Sequence, residues 1–239
     1  MFASISPVAG SQPFNDWFSP DTTQRHALGL QITAVDPFWG AGKFMYVKSN
    51  DAILKGSVVM WDEVYQGVLL PSAVTQGFPF GVAMAPMASG TFGWIQLEGR
   101  AVYKTNATVA ADGVLAIAAA GILGATATGK QVIGIRNRKA ATGTESILNV
   151  STTNGSGILY AIGGYDGLFL GAALSGTGIA GSSIVVKLGS DGKTIYSGTT
   201  IGGAADKLAT ATGTITLTAT YTGFGSGMIN NPGCMQIVT

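Results

Sequence analysis

The chain has 239 residues, enough for one large or two modest domains; 46% of them are hydrophobic, 10% are charged, and the formal net charge is +1. The charged fraction lies far below the roughly 25% of ordinary soluble domains, and a net charge of +1 offers no electrostatic footprint for nucleic acid or an anionic membrane surface, which need clustered Lys and Arg. It also leaves the surface poorly protected against association, so the composition implies that much of it is covered by identical copies or by a partner.

Residues 1–40 are rich in aromatic, proline and turn residues, as in "PFNDWFSPD" and "VDPFWGAG", and carry no sustained period of 2 or 3.6. Two readings stand side by side. The segment is an irregular arm whose Phe14, Trp17, Phe18, Phe38 and Trp39 anchor into a neighbouring molecule, or it is a leader folded onto its own core. No basic stretch or continuous apolar run opens the chain, and Pro7 comes early, so the N-terminus does not read as a secretory signal. The expectation is a protein made in the cytoplasm and used there or in an assembly. His26 is the single histidine, set in "TTQRHALGL" without a nucleophile motif, and reads as structural or exposed.

Residues 41–138 read as a compact all-β unit. "KFMYVK" and "GSVVMW" are strand-like, followed by "VYQGVLLP" and "FPFGVAMAP". From Trp94 the pattern alternates: Ile95, Leu97, Ala101 and Tyr103 are expected on one face, and Gln96, Glu98 and Arg100 on the other. "ATVAADGVLAI" and "KQVIGIRNR" complete the set, and the uncharged stretch 113–129 is too short and too rich in Gly and Thr to span a membrane, so it reads as a buried strand pair or short core segment. Many short strands punctuated by glycine argue for a small barrel or sandwich. Fifteen of the 21 aromatic residues precede residue 104, which places the better-filled core here.

Residues 139–239 turn to Gly, Thr, Ser and Ala. "SSIVVKLGSDGKTIYSG" has the form of a hairpin. In "TGTITLTATYTG", Ile215, Leu217, Ala219 and Tyr221 are expected inward and the intervening threonines outward. "AADKLAT" suggests a helical turn, and the whole reads as a second, β-sandwich-like lobe. Cys234 is the lone cysteine, so no intrachain disulfide or cysteine metal cluster forms, and its setting "NPGCMQIV" suits a buried thiol.

Patterns that carry chemistry elsewhere fit poorly. "GATATGKQ" has the GxxxxGK spacing of a phosphate loop, but Gln131 stands at the Ser/Thr position and a strand follows where a helix should open. "GTGIAG" likewise leads into "SSIVVKL". Asp112, Asp166 and Asp191 each precede glycine, which is turn chemistry. Asp62 and Glu63 are the adjacent carboxylates, read as a solvated turn, and "RNRK" at 136–139 closes a strand or meets an acidic partner. No catalytic set, metal site or cofactor is expected.

The middle unit, "ILKGSVVMWDEVYQGVLLPSAV" through "FPFGVAMAPMASGTFGWIQLEGRAVYKTNATVAADGVL" to "GKQVIGIR", resembles the small β-barrel of tailed-bacteriophage head decoration (cement) proteins and related virion structural proteins. The shared elements are Gly81-Val82-Ala83, the run Gly90-Thr91-Phe92-Gly93-Trp94-Ile95-Gln96, Gly99, and Gly129 to Gly134. The resemblance covers under half of the chain. It implies a protein without a catalytic site that binds the outer face of the major capsid shell, often as a trimer, and clamps neighbouring capsomers. Arms reaching across subunits would add grip. Glu98 and Arg100 would then pair with each other or across a subunit boundary. A different reading makes the Gly/Thr-rich lobe a fibre or adhesion module that binds carbohydrate, with Tyr160, Tyr165 and Tyr196 as stacking candidates.

Overall fold

The structure is a computed structural model that describes residues 3–4, 20–36, 40–72, 79–106, 109–125, 131–165, 168, 170–189, 191–200 and 203–229. The protein is all-β: among the described residues there are 17 strands and no helix. The chain divides into two compact units, one spanning Thr142–Thr222 and the other formed by the residues up to Ala141 together with those from Gly223 onward.

The first unit contains β1 (Ala3–Ser4), β2 (Gln31–Asp36), β3 (Gly40–Ser49), β4 (Val58–Trp61), β5 (Gln66–Leu69), β6 (Phe80–Ala83), β7 (Phe92–Lys104), β8 (Val114–Ala119), β9 (Ile122–Ala125) and β10 (Gln131–Arg136). They join β17 (Phe224–Ile229) in an 11-stranded sheet ordered β1-β2-β3-β5-β4-β6-β7-β17-β10-β8-β9. A further pairing of β3 with β7 closes β3, β5, β4, β6 and β7 into a ring, in which β3–β5 is the parallel contact. The stretch read as a buried strand pair is the hairpin of β8 and β9.

Burial explains why "KFMYV" shows no alternation. Met45 and Val47 join Ile53, Val59, Ala83, Met87, Ile95 and Leu97 in one apolar cluster. Phe44 and Tyr46, on the opposite face of β3, pack with Ile32, Ala34, Met84 and Trp94 in another. A strand covered on both sides reads as a continuous apolar run. A third cluster gathers Val58, Leu70, Phe80, Val82, Tyr103, Leu115, Leu123 and Val132 among others. The face predicted for β7 is therefore divided: Ile95 and Leu97 serve one core, while Ala101 and Tyr103, beyond Gly99, serve another.

The second unit contains β11 (Thr142–Thr152), β12 (Ile158–Ala161), β13 (Ala173–Ser175), β14 (Ser183–Leu188), β15 (Thr194–Gly198) and β16 (Gly213–Thr222). The lobe expected to be sandwich-like closes into a six-stranded barrel, ordered β11-β12-β15-β14-β13-β16 and sealed by the β11–β16 ladder. Leu217, Ala219 and Tyr221 point into it and are buried, as are Leu159, Leu174, Val185 and Ile195. Thr216 and Thr222 are exposed, and Thr218 and Thr220 half-buried. β14 and β15 form the expected hairpin. "AADKLAT" forms bends and irregular backbone, not a helical turn. Its Lys207 N–H donates to the Ser197 carbonyl at 3.2 Å, so the segment is spent bracing β15.

The Gly/Thr-rich composition that begins at residue 139 predicts a lobe running to the C-terminus. In the structure the chain leaves the barrel at Thr222, which lies directly opposite Thr142, and β17 enters the large sheet between β7 and β10. In the first unit Gly223 N–H donates to the Ala141 carbonyl at 2.8 Å. The barrel is thus an insertion whose two ends leave from neighbouring positions.

Candidate interaction surface

Of the residues singled out for partner binding, Phe14, Trp17, Phe18, Phe38 and Trp39 lie outside the described residues. Glu98 and Arg100 are half-buried on β7, on either side of Gly99, whose φ is +101°. Their cross-strand neighbours differ: Lys43 of β3 stands opposite Glu98, and Met228 of β17 stands opposite Arg100. An opposite charge in register gives Glu98 a partner position on β3 within its own chain. Met228 is 55% exposed, so an apolar side chain sits beside the guanidinium-bearing residue.

Gln96 departs from the expected polar face. It is 2% exposed, and its side-chain amide donates to the carbonyls of Glu98 at 3.1 Å and Arg100 at 2.9 Å. A left-handed glycine in mid-strand turns carbonyls away from the ladder, and buried carbonyls need donors. Gln96 supplies both. Alternation alone could not identify this role, because it depends on the irregularity three residues downstream.

A second cluster was not legible as a unit in the sequence. Asp21 bridges to Phe92 by two backbone hydrogen bonds of 2.8 and 2.9 Å, bringing residues 20–30 across β3 and β7. Its carboxylate accepts from the Tyr46 hydroxyl at 2.7 Å and pairs with Arg25 Nε at 3.0 Å. His26 sits edge-on to Tyr46 with centroids 5.0 Å apart and lies 5.3 Å from Trp94. Tyr46 in turn stacks on Phe92 at 6.2 Å. Partial burial holds the His26 imidazole below its ordinary pKa of 6.5, against the pull of Asp21, with Arg25 adding to the depression. Burial, followed by the hydrogen bond to Asp21, raises the Tyr46 phenol. The single histidine is a neutral aromatic spacer in this clamp. The one sequence signal for the cluster was the i,i+4 spacing of Asp21 and Arg25.

The remaining polar motifs resolve into local structure. Asp62 Oδ1 accepts from the N–H groups of Val64 at 3.0 Å and Gln66 at 2.8 Å, as an exposed turn requires. In "RNRK", Arg138 pairs with Asp112 at 2.7 Å, and buried Asn137 accepts from the Tyr103 hydroxyl at 3.1 Å while donating to the carbonyls of Ala110 and Lys139. Gly124 lies in β9 and Gln131 begins β10, so the GxxxxGK pattern starts in one strand and is followed directly by another. "GTGIAG" leads into strand β14. Asp191 accepts from Lys193 N–H, Thr194 N–H and the Thr194 hydroxyl at the hairpin tip.

On the barrel, Leu148, Ile158, Tyr160 and Ile162 are exposed, with Tyr160 at 43%. Tyr196 lies opposite Ile158 in register, and Lys187 Nζ stands 5.4 Å from its ring centroid. Tyr165 is 3% exposed and belongs to the barrel interior. Among the described residues no group of three or more His, Cys, Asp and Glu side chains gathers to hold a metal. What these surfaces offer is contact area: an apolar barrel face and a mixed-charge stretch of β7 around Gly99. Comparison with protein-family models, curated proteins and solved structures finds no match for this chain.

Proposed function

We propose that this chain is a non-enzymatic structural protein of a tailed-bacteriophage virion, which binds the outer surface of the major capsid shell as a homotrimer and stabilises it. It would be made in the host cytoplasm and reside on the capsid, without nucleic-acid or membrane contact. The observation that carries this reading is where the first three cement-like elements fall; of the fourth, Gly134 lies in β10 and Gly129 outside the described residues. Gly81-Val82-Ala83 occupies β6, Gly90 a turn with φ +85°, Trp94-Ile95-Gln96 the first half of β7, and Gly99 its left-handed point. Their strands are hydrogen-bonded neighbours in one closed ring. A chain with only 10% charged residues supports the same reading, since oligomer and shell contacts would hide what charge does not protect.

The test is co-sedimentation of the purified protein with expanded capsids that lack decoration, followed by counting copies per capsid. Saturable binding in multiples of three per lattice position is expected. Absence of binding, with copies confined to a tail or a unique vertex, overturns the proposal.

A second reading rests on the exposed ring of Tyr160 beside Tyr196 on a barrel that is inserted into the other unit. Such a face suits stacking on a sugar ring. It predicts that the full chain adsorbs to host cells and that Tyr160→Ala abolishes adsorption; unchanged adsorption by the variant removes it.

A further inference from the structure

β2 is the last full strand on one side of the large sheet, and its outer edge lacks the usual protection. Between Gln31 and Val35 it has no charge and no proline, and Ile32 and Ala34 are buried in a core beneath it. Natural sheets blunt such edges with lysine, proline, bulges or a covering element, because a free row of N–H and C=O groups recruits another strand. Among the described residues, the cover is β1, two residues long, paired antiparallel as Ala3↔Val35 and Ser4↔Ala34. The edge thus has a known occupant with a known register.

We propose that this occupant comes from a second copy of the chain, so that protomers are joined by exchange of the N-terminal strand onto β2. The fifteen residues 5–19 connect Ser4 to Pro20. Extended, they reach about 50 Å, a length that does not confine β1 to the β2 of its own chain. The two ladder positions gained are the same within one chain or between copies, but pairing within one chain must also close a loop, which exchange does not. Around a closed ring each copy donates one strand and accepts one, every edge is covered, and all exchanged contacts act together. This deepens the self-association part of the reading above, and it stands or falls without reference to the capsid.

The experiment uses two single variants of the full chain, Ala3→Cys and Val35→Cys, each with Cys234→Ser, the second carrying a size tag. They are co-expressed, oxidised mildly and separated without reductant. The in-register pair is close enough for a disulfide. A mixed two-chain species is expected, since a bond between positions 3 and 35 of these variants forms only between copies. The double variant in one chain should give linked oligomers. If it gives only internally bridged monomers, or if neither design cross-links, the proposal is overturned. Deletion of residues 1–4 supplies a cysteine-free check: sedimentation velocity should show loss of the oligomer, and an unchanged oligomer mass also overturns it. Capsid co-sedimentation of the wild type separates these outcomes from failure of the cement reading.

Discussion

At Gly99 an added Cβ would stand 2.4 Å from the Ala41 carbonyl oxygen and 2.9 Å from the Gly42 Cα, both backbone atoms that cannot swing aside. Gly90 shares the left-handed conformation, at φ +85°, but an added Cβ there meets nothing within 4 Å. Gly90→Ala should therefore cost only the backbone strain, about 1 kcal/mol, and Gly99→Ala about 3 kcal/mol or more. Urea unfolding midpoints at unchanged slope measure the difference. Gln96→Leu leaves the Glu98 and Arg100 carbonyls without their donor and should cost about 1–3 kcal/mol by the same assay. His26 supplies a pH dependence. The folded state binds its proton more weakly than the unfolded chain, whose histidine titrates near 6.5. As pH falls through that value the unfolded state takes up protons first, so stability drops on acidification, above the range near 4 where carboxylates titrate. Thermal melting between pH 7.5 and 5.5 should show this fall, and His26→Gln should flatten it.

Among the elements, β16 and β3 differ in what their sequences disclose. β16 faces a core on one side only, so its alternation is a direct record of burial: Leu217 is buried and Thr216 exposed. Leu217→Ala should cost about 2–5 kcal/mol, and Thr216→Lys should stay within about 0.5 kcal/mol, as read by chemical denaturation followed by far-ultraviolet circular dichroism. β3 is buried on both faces, and its run "KFMYV" announces a strand without saying which residue faces which core. The β11–β16 ladder, which seals the barrel, was invisible for another reason. It joins Thr142 to Thr222 and Thr152 to Gly213, positions far apart in the chain. Closure of this ladder removes free edges from the lobe, which is a physical need for a sparsely charged, threonine-rich sheet.

For the whole molecule, the insertion of Thr142–Thr222 between Ala141 and Gly223 has a direct consequence. Because Thr142 and Thr222 are directly opposite, a short glycine-rich turn can replace the barrel without stretching the chain. The shortened protein should keep the first unit's fold. All four tryptophans, at positions 17, 39, 61 and 94, lie outside the barrel. Tryptophan fluorescence should therefore report the same unfolding midpoint in the full and shortened chains. A shift of the midpoint by more than the extrapolation error would show that the barrel supports its host.

Features that depend on near neighbours are legible in the residues alone. The all-β character, the alternation of β16, the β14–β15 hairpin and the turn roles of Asp62 and Asp191 each rest on side-chain period or on hydrogen bonds within a few residues. The sequence also marks Glu98 and Arg100 as the charged part of β7, with no indication that Lys43 and Met228 stand opposite them. Only the tertiary structure decided the closure of β3 on β7, the sealing of the barrel, the return of β17 to the first unit, the burial of Gln96 and the meeting of Asp21, His26, Tyr46, Phe92 and Trp94. Each of these is a pairing between distant segments. Its partner is chosen by which surfaces remain to be buried once the local strands exist, and that choice leaves no period in the sequence.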